Sequence, residues 1–294
     1  MSDLRPPRRD QPPRRRDRRG RSSRPPTPGR TPGRASGRAP VDAGRWLYGA
    51  HTVAAALANP ERGWHQLAIL AGHEGEARAL VAGARATRLG TGEAVRLLDH
   101  NAFATILPAG AVHQGLALEV EPLPERGLNE IVRSAIAAAG RSIIVVLDRI
   151  SDPQNIGAIL RSAAAFGALA IVAPARGTPA ATGALAKAAS GALEIVPLVR
   201  VVNLARALDR LKGAGFWICG LDETATSPLA QLELGDRVAL VLGSEGGGMR
   251  RLVRERCDFL ARLPTRPEQP TLNVANAAAV ALYELVRSPP LPGP

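Results

Sequence analysis

The sequence is poor in cysteine and in aromatic residues, and it has no long apolar run. Its two cysteines, Cys219 and Cys257, are too few for a disulfide framework or a zinc cluster, and each is predicted to be a small buried side chain in a reducing compartment. No segment approaches the roughly 18 apolar residues that a membrane span needs. No apolar stretch follows the charged N-terminus as it would in a secretory signal. We therefore expect a cytoplasmic protein that does not bind a membrane.

The sequence also lacks the common nucleotide and metal fingerprints. There is no Gly-x-Gly-x-x-Gly after the first buried strand of the larger region and no Gly-x-x-x-x-Gly-Lys-Ser/Thr anywhere, which excludes dinucleotide-binding oxidoreductases and P-loop NTPases. Zinc-ligand spacings are absent, so no metal is expected. All five histidines precede residue 114. This excludes histidine–carboxylate catalysis in the remainder of the chain.

Positive charge is concentrated at the N-terminus. The net charge is +12, but residues 1–45 hold 14 arginines and four aspartates, an excess of ten, so the rest of the chain is nearly neutral. The segment is rich in proline and glycine and has almost no aliphatic residues, so it is predicted to be a disordered tail. It serves either as a solubilising segment or as a salt-sensitive contact to nucleic acid phosphates.

Residues 46–123 are predicted to form a small α/β domain. Short strands alternate with helices there, and the segment Glu121–Gly127, with two prolines and a glycine, marks its end. The predicted elements are a helix near His51–Leu57, a strand at Gln66–Leu70, a helix near Glu76–Arg88, a helix-like AVRLLD stretch at 94–99 and a strand at Gly115–Val120.

Residues 124–294 are predicted to form a doubly wound α/β domain. Apolar runs such as SIIVVLD, LAIVAP, FWICGLD and RVALVLG alternate with amphipathic helical segments, the last of which is NVANAAAVALYELVR. Strands rich in Val, Ile and Leu are typical of a parallel sheet that is covered on both faces.

Three polar segments interrupt this larger region where a strand ends or a helix starts. The first runs from Asp148 to Arg161. Its Asn155 is either a helix N-cap or a functional residue. The small residues around Arg161 provide no local carboxylate partner, which favours a phosphate or substrate contact over an ordinary surface arginine.

The second and third polar segments follow later strands. In Gly243–Met249, the glycines allow a ligand to lie against backbone, and Glu245 suits a cationic or hydroxyl-bearing ligand or, alternatively, the start of a helix. In Leu263–Ala277, Thr271 or Asn273 is a candidate cap for the last helix. One cap does not account for all the polar residues of this segment.

These three segments, in this order, resemble the three motifs of the SpoU/TrmH class of RNA ribose 2′-O-methyltransferases. The resembling stretches are DPQNIGAILRSAAAFG, LVLGSEGGGMRRLVRERCD and LPTRPEQPTLNVANAAAVALYE, within residues 142–287. YGAHTVAAAL and HQGLALEV in residues 46–123 resemble the N-terminal RNA substrate-binding domain of that class, which has an L30e-like fold.

The resemblance implies a SPOUT-type catalytic domain with a C-terminal trefoil knot, S-adenosylmethionine as methyl donor, a homodimer and RNA as partner. A ribose 2′-hydroxyl is then the acceptor, with a guanosine of 23S rRNA as the expected target. By the same resemblance, the cofactor-binding backbone positions are Gly243, Leu263 and Leu272. The catalytic and substrate positions are Asn155, Arg161, Glu245, Thr271 and Asn273.

The chain departs from the family pattern in the third motif. Thr265 and Pro267 stand where the family has Met and Gly, Thr271 stands for a serine, and Ala275 replaces a serine and so lacks a hydroxyl donor. Alternatives are methylation of tRNA or of another rRNA nucleotide, including the antibiotic-resistance type, and a non-catalytic RNA-binding or ribosome-assembly protein.

Overall fold

Two β-sheets, each covered by helices, form the part of the chain that the computed structural model describes. These residues are 45–179, 181, 183–266, 268 and 271–287. The predicted tail lies outside them except for its last residue, Arg45, whose Nε lies 2.6 Å from Oε1 of Glu119. Both sheets belong to one compact unit of the chain. We call residues 45–121 the first lobe and residues 128–287, as far as they are described, the second lobe.

The first lobe contains a mixed five-stranded sheet within the described residues, in the order β1-β5-β2-β3, with β4 also paired to β2. Strand β5 is antiparallel to β1 and β2, whereas β3 and β4 run parallel to β2. The elements are β1 (Trp46–Tyr48), α1 (Ala50–Ala58), β2 (Gly63–Ile69), α2 (Glu74–Ala82), β3 (Thr87–Arg88), β4 (Val95–Leu97), α3 (His100–Ile106) and β5 (Leu116–Val120).

Two of the predicted elements of this lobe are wrong. Helix α2 stops at Ala82, because Gly83 ends it with its N–H bonded to the Ala79 carbonyl, and Thr87–Arg88 is a strand. The AVRLLD stretch contains β4 instead of a helix, since Val95–Leu97 pairs with β2. Helix α3 was not predicted, although Asp99 caps it by accepting from the Ala102 N–H at 2.7 Å.

The second lobe contains a sheet that is parallel at every strand pair, as predicted. Within the described residues it has seven strands in the order β10-β12-β9-β11-β6-β7-β8. The elements are α4 (Leu128–Ala137), β6 (Ser142–Leu147), α5 (Pro153–Ala165), β7 (Ala170–Pro174), α6 (Gly183–Ala189), β8 (Leu198–Val201), α7 (Leu204–Lys212), β9 (Trp217–Leu221), β10 (Ser227–Pro228), β11 (Arg237–Leu242), α8 (Arg251–Arg254), β12 (Phe259–Arg262) and α9 (Val274–Arg287).

Alternate residues of each strand point to two apolar layers. Ile143, Val145 and Leu147 of β6 pack in the layer that holds α5, α6 and α9. Ile144 and Val146 pack in the layer that holds α4, α7 and α8. Helices therefore cover both faces, which confirms the predicted doubly wound architecture. The strand β12 was not predicted, because FLAR is short and does not stand out as an apolar run.

The apolar layer of α5, α6 and α9 continues into the first lobe. Buried residues of β2, β5 and α1, among them Leu67, Leu118 and Leu57, belong to the same cluster as Ile159 of α5 and Leu185 of α6. The two lobes thus share a hydrophobic core. Among the described residues, no helix is long and apolar enough to cross a membrane, and no group of three or more His, Cys, Asp or Glu side chains is arranged to hold a metal ion.

Candidate active site at the carboxyl edge of the parallel sheet

The three polar segments follow strands that lie close together in the second sheet. They begin at Asp148 after β6, at Gly243 after β11 and at Leu263 after β12. Strand β11 lies directly beside β6, and only β9 separates it from β12. Because all these strands are parallel, their carboxyl ends meet at one edge, where ligands of open α/β sheets bind.

One residue from each segment joins a hydrogen-bonded cluster at this edge, which we call the edge cluster: Asn155, Glu245 and Asn273. Nδ2 of Asn273 donates to Oε1 of Glu245 at 2.8 Å and to Oδ1 of Asn155 at 3.0 Å. Nδ2 of Asn155 donates to the same Glu245 oxygen at 3.5 Å. Residues 118 positions apart in the chain are thereby brought into contact.

Asn155 is free for this role because another residue caps α5. The cap is Asp152, which accepts from the Gln154 N–H at 3.0 Å, and Pro153 begins the helix. The capping alternative for Asn155 is therefore wrong. Its side chain extends from the first turn of α5 toward Glu245 instead.

Asn273 has two roles at once. Its Oδ1 caps α9 by accepting from the Ala275 N–H at 2.9 Å, while its Nδ2 joins the edge cluster. Oε1 of Glu245 also accepts from the Val274 N–H at 3.2 Å. Glu245 therefore lies at the N-terminus of α9, where the helix dipole stabilises a negative charge. The carboxylate is exposed and faces the edge of the sheet.

The loop that carries Glu245 is held by Asp148, a contact that the sequence did not reveal. The Asp148 side chain is completely buried, and its two oxygens accept from the backbone N–H and the Nε of Arg250, each at 2.7 Å. The loop also folds back on itself, with Ser244 bridged to Gly248. A Cβ on Gly243 would lie 2.3 Å from the Gly248 carbonyl carbon, so this glycine is required by the turn itself.

Arg161 lies on α5 but outside the edge cluster. It is six residues beyond Asn155, which corresponds to roughly 9 Å along the helix and roughly 120° around it. Its side chain is exposed and makes no hydrogen bond or ion pair with any residue in the described part of the chain. The small residue Gly157 is explained by helix packing, since a Cβ there would lie 2.5 Å from Cβ of Ala188 on α6.

The remaining predicted residues lie along the third segment. Leu263 is half-buried against the core, and Leu272 is 41% exposed, which is unusual for a leucine. Thr271 is exposed. Ala275 is buried at the start of α9, where a small apolar side chain packs well. Pro267 lies outside the described residues.

The two cysteines do not supply a nucleophile. Burial raises the pKa of the Cys219 thiol to about 12, and burial raises that of Cys257 to about 12 as well. Both thiols are therefore protonated at neutral pH, and a protonated thiol is a poor nucleophile. Cys219 is buried as predicted, whereas Cys257 is only partly buried.

Comparison with known proteins identifies the family. The model of the SpoU rRNA Methylase family matches residues 142–283, and that of the RNA 2′-O ribose methyltransferase substrate-binding family matches residues 46–126. The 23S rRNA (guanosine-2′-O-)-methyltransferase RlmB of Pseudomonas aeruginosa is 38% identical over 243 residues, which cover 82% of this chain and 95% of that protein. The chain belongs to the SpoU rRNA methylase family. A relative of the same name from Coxiella burnetii is 37% identical over 84% of this chain and 97% of its own length.

Solved methyltransferase structures share the fold. The SpoU methyltransferase AviRb from Streptomyces viridochromogenes superposes with a TM-score of 0.67 at 22% identity, covering 83% of this chain and 89% of that chain. An AdoMet-bound rRNA methyltransferase from Sinorhizobium meliloti gives a TM-score of 0.65 at 20% identity, with coverages of 83% and 87%. At these identities the likeness concerns the fold alone.

Proposed function

We propose that this chain transfers the methyl group of S-adenosylmethionine to a ribose 2′-hydroxyl of RNA, and that the target is a guanosine of 23S rRNA. The observation that carries the proposal is the edge cluster, in which each of the three family motifs contributes one polar side chain and the three side chains are hydrogen-bonded to one another. The choice of target is supported by the 38%-identical relatives, which are named 23S rRNA (guanosine-2′-O-)-methyltransferase.

The residues at this edge fit the cofactor. Gly243, Leu263 and Leu272 are proposed to hold it through their backbones, next to a carboxylate, Glu245, that complements a sulfonium charge. The exposed glycines at 246–248 leave bare backbone for a close approach, and the exposed Leu272 side chain can cover an apolar ring. When bound, S-adenosylmethionine supplies an electrophilic methyl group.

The chain's own contribution is then positioning and electrostatics. Alignment of the 2′-oxygen with the methyl carbon at about 3–3.5 Å supplies much of the rate enhancement in such transfers. Asn155, Thr271 and Asn273 are proposed to orient the ribose. Arginine side chains in proteins are cationic and cannot act as bases. Arg161 is therefore proposed to bind the target phosphate and to lower the pKa of the hydroxyl. In the described structure Glu245 is bonded to Asn155, Asn273 and Val274, and it is proposed to orient the site through them.

The proposal includes a homodimer in which α9 contributes to the interface. Val280, Tyr283 and Val286 lie on one side of α9 and are each about half exposed, at 49%, 54% and 52%. Apolar side chains spaced three residues apart form a stripe that a second copy would cover. Arg161, on the neighbouring helix α5, then lies near the interface.

The organisation of the chain is proposed as predicted from the sequence. It comprises a tail at 1–45, an L30e-like RNA substrate-binding domain at 46–123 and a methyltransferase domain at 124–294 with a C-terminal trefoil knot. The knot is proposed from the resemblance to the SpoU/TrmH class. A cytoplasmic location fits a substrate that is ribosomal RNA.

The decisive experiment maps ribose 2′-O-methylation in rRNA and tRNA from cells with and without this gene. We expect one guanosine of 23S rRNA to lose its methyl group and tRNA to be unchanged. A changed tRNA site would support the tRNA-modifying alternative. Unchanged methylation of both RNAs, together with no cofactor binding by calorimetry, would leave only the RNA-binding alternative.

The role of Arg161 is tested with the purified protein. Arg161→Lys keeps the charge but removes the planar, bidentate guanidinium. We expect methyl transfer to RNA to fall while cofactor affinity is retained. Full turnover by this variant would refute the role given to Arg161.

A further inference from the structure

Two polar contacts join the first lobe to α6 and to the turn that follows it. We propose that these contacts, which we call the interlobe clamp, position the RNA-binding first lobe relative to the active site. The clamp consists of Asn59, Arg62 and Gln114 on the first lobe and Lys187 and Glu194 on the second. The inference rests on the proposed function, because it concerns how the substrate RNA reaches the edge cluster.

The first contact is a buried ion pair between the lobes. Nη2 and Nε of Arg62 donate to the two oxygens of Glu194 at 2.5 and 3.2 Å, and Nδ2 of Asn59 donates to Oε2 of the same glutamate at 2.8 Å. The side chains of Arg62 and Glu194 are only 7% and 3% exposed. Nη1 of Arg62 also donates to the Glu121 carbonyl at 2.7 Å, so each nitrogen of the guanidinium has an acceptor.

The second contact is made by Lys187, in the last turn of α6. Nζ of Lys187 donates to Oε1 of Gln114 at 2.9 Å, and the same oxygen accepts from the Ala50 N–H at 3.3 Å. The ammonium group rests against Gly49, where a Cβ would lie only 2.1 Å from Nζ. Partial burial lowers the pKa of Lys187. The Lys187 ammonium group is therefore partly removed from water while it binds Gln114 of the first lobe.

The backbone is strained at both contacts. Among the described residues, the non-glycine residues with left-handed φ are Gln114 at 52°, Ser190 at 48° and Arg149 at 64°. Gln114 belongs to the clamp, and Ser190 makes the turn between Lys187 and Glu194. Arg149 follows β6 at the edge of the active site. Such conformations cost free energy and concentrate at functional sites.

Helix α6 connects the clamp directly to a helix of the active site. It packs on α5 so closely that a Cβ on Gly157 would meet the Ala188 backbone carbon at 2.7 Å. Helix α5 carries Asn155 and Arg161. A first lobe held rigidly on α6 is therefore held rigidly relative to the residues proposed to receive the ribose. Since a misplacement of about 1 Å can cost about 100-fold in rate, this orientation matters for the use of a large RNA.

The exposed contact provides the test, because its variants retain the buried ion pair. Gln114→Gly removes the acceptor and suits the left-handed backbone, so it does not add strain. Lys187→Met keeps the aliphatic stem and removes the donor. We expect kcat/KM for 23S rRNA to fall about 10- to 100-fold in each, mainly through kcat, with cofactor Kd within about twofold of the wild type. The double variant should be no worse than either single variant, since the two residues act as one contact.

Asp209→Asn is a matched control, because the Arg256–Asp209 pair, with 3.0 Å between Nε and Oδ1, lies within the second lobe alone. This variant should retain kcat/KM. The positioning role is overturned if both clamp variants keep kcat/KM within about twofold, or if cofactor binding weakens in parallel with it.

A second readout does not depend on methyl transfer. Spin labels on the exposed positions Arg78 and Arg133, one in each lobe, should give a distance distribution that broadens in Gln114→Gly and Lys187→Met and not in Asp209→Asn. An unchanged distribution would refute the clamp even if the protein proved inactive on RNA. An inactive wild-type protein with a broadened distribution in the variants would refute the proposed function and leave the clamp standing.

Discussion

Glu194 and Glu245 accept a similar hydrogen bond in very different surroundings. Each accepts from Nδ2 of an asparagine at 2.8 Å, Asn59 in one case and Asn273 in the other. Glu194 is buried and its charge is neutralised by Arg62. Glu245 is exposed, and among the described residues its hydrogen-bond donors are two side-chain amides and one backbone N–H.

The difference shows how one residue type serves two purposes. A buried carboxylate has to be paired inside the protein, so the Glu194 pair holds parts of the chain together. An exposed carboxylate held only by neutral donors keeps its charge available to a ligand. The two glutamates differ in the charge of their partners. A cationic partner makes Glu194 a structural contact between the lobes, whereas neutral partners suit Glu245 to the candidate active site.

The largest expected effect is on stability, at Glu194. Glu194→Ala leaves Arg62 buried without its partner, which should lower the free energy of unfolding by about 3–5 kcal/mol. Urea denaturation measures the change. Glu245→Ala is the control, and it should cost less than about 1 kcal/mol because the site is exposed. Equal losses at the two positions would contradict the contrast between them.

The next effect is on activity, at Glu245. Glu245→Gln keeps the shape and an acceptor but removes the charge. Hydrogen bonds to a charged group are worth about 1.5–3 kcal/mol, so methyl transfer to RNA should fall about 10- to 100-fold. The unfolding free energy should change by less than about 1 kcal/mol. Retained turnover at saturating cofactor would show that the charge is not used.

Two variants of Asn273 separate its capping of α9 from its role in the edge cluster. Asn273→Ala removes both functions and should destabilise the protein by about 1 kcal/mol, whereas Asn273→Ser keeps a capping oxygen and should cost only a few tenths. Both variants lose the amide that holds Glu245, so both should lose turnover to the same extent. If the serine variant were as active as the wild type, the Nδ2 bonds would have no role in the reaction.

The smallest effect is expected at Arg149. Its left-handed φ of 64° is strained for a side chain with a Cβ, so Arg149→Gly should raise the free energy of unfolding by about 1 kcal/mol. Arg149→Ala removes the same guanidinium but retains the strain, and it should not show this gain. Thermal unfolding of the two variants side by side gives the comparison.

The parallel sheet and the location of the site were predictable from local patterns. Continuous apolar runs such as SIIVVLD and RVALVLG indicate strands that are buried on both faces, and the structure contains these strands as β6 and β11. Polar residues directly after such strands have to lie at the carboxyl edge of the sheet. The assignment of Asn155, Glu245 and Asn273 as site residues came from the resemblance of their segments to the SpoU/TrmH motifs.

Other features were not predictable because they depend on partners that are distant in the chain. The AVRLLD stretch has a helix-like composition, but pairing with β2 makes it a strand. Asp148 looks like any polar residue at a strand end, and only the structure places it against Arg250, 102 residues away. The contact between Arg62 and Glu194 spans 132 residues and leaves no periodic signal.

The amino-acid sequence by itself determined strands β6, β7, β9 and β11 and helices α5, α6, α7 and α9 of the second lobe, and the polar segments that follow β6 and β11. These follow from burial patterns within a few neighbouring residues. Only the tertiary structure decided that Asn273 both caps α9 and holds Glu245, and that α6 is clamped to the first lobe while it packs on α5. Such contacts depend on charge balance and close packing between distant segments, and no local pattern encodes them.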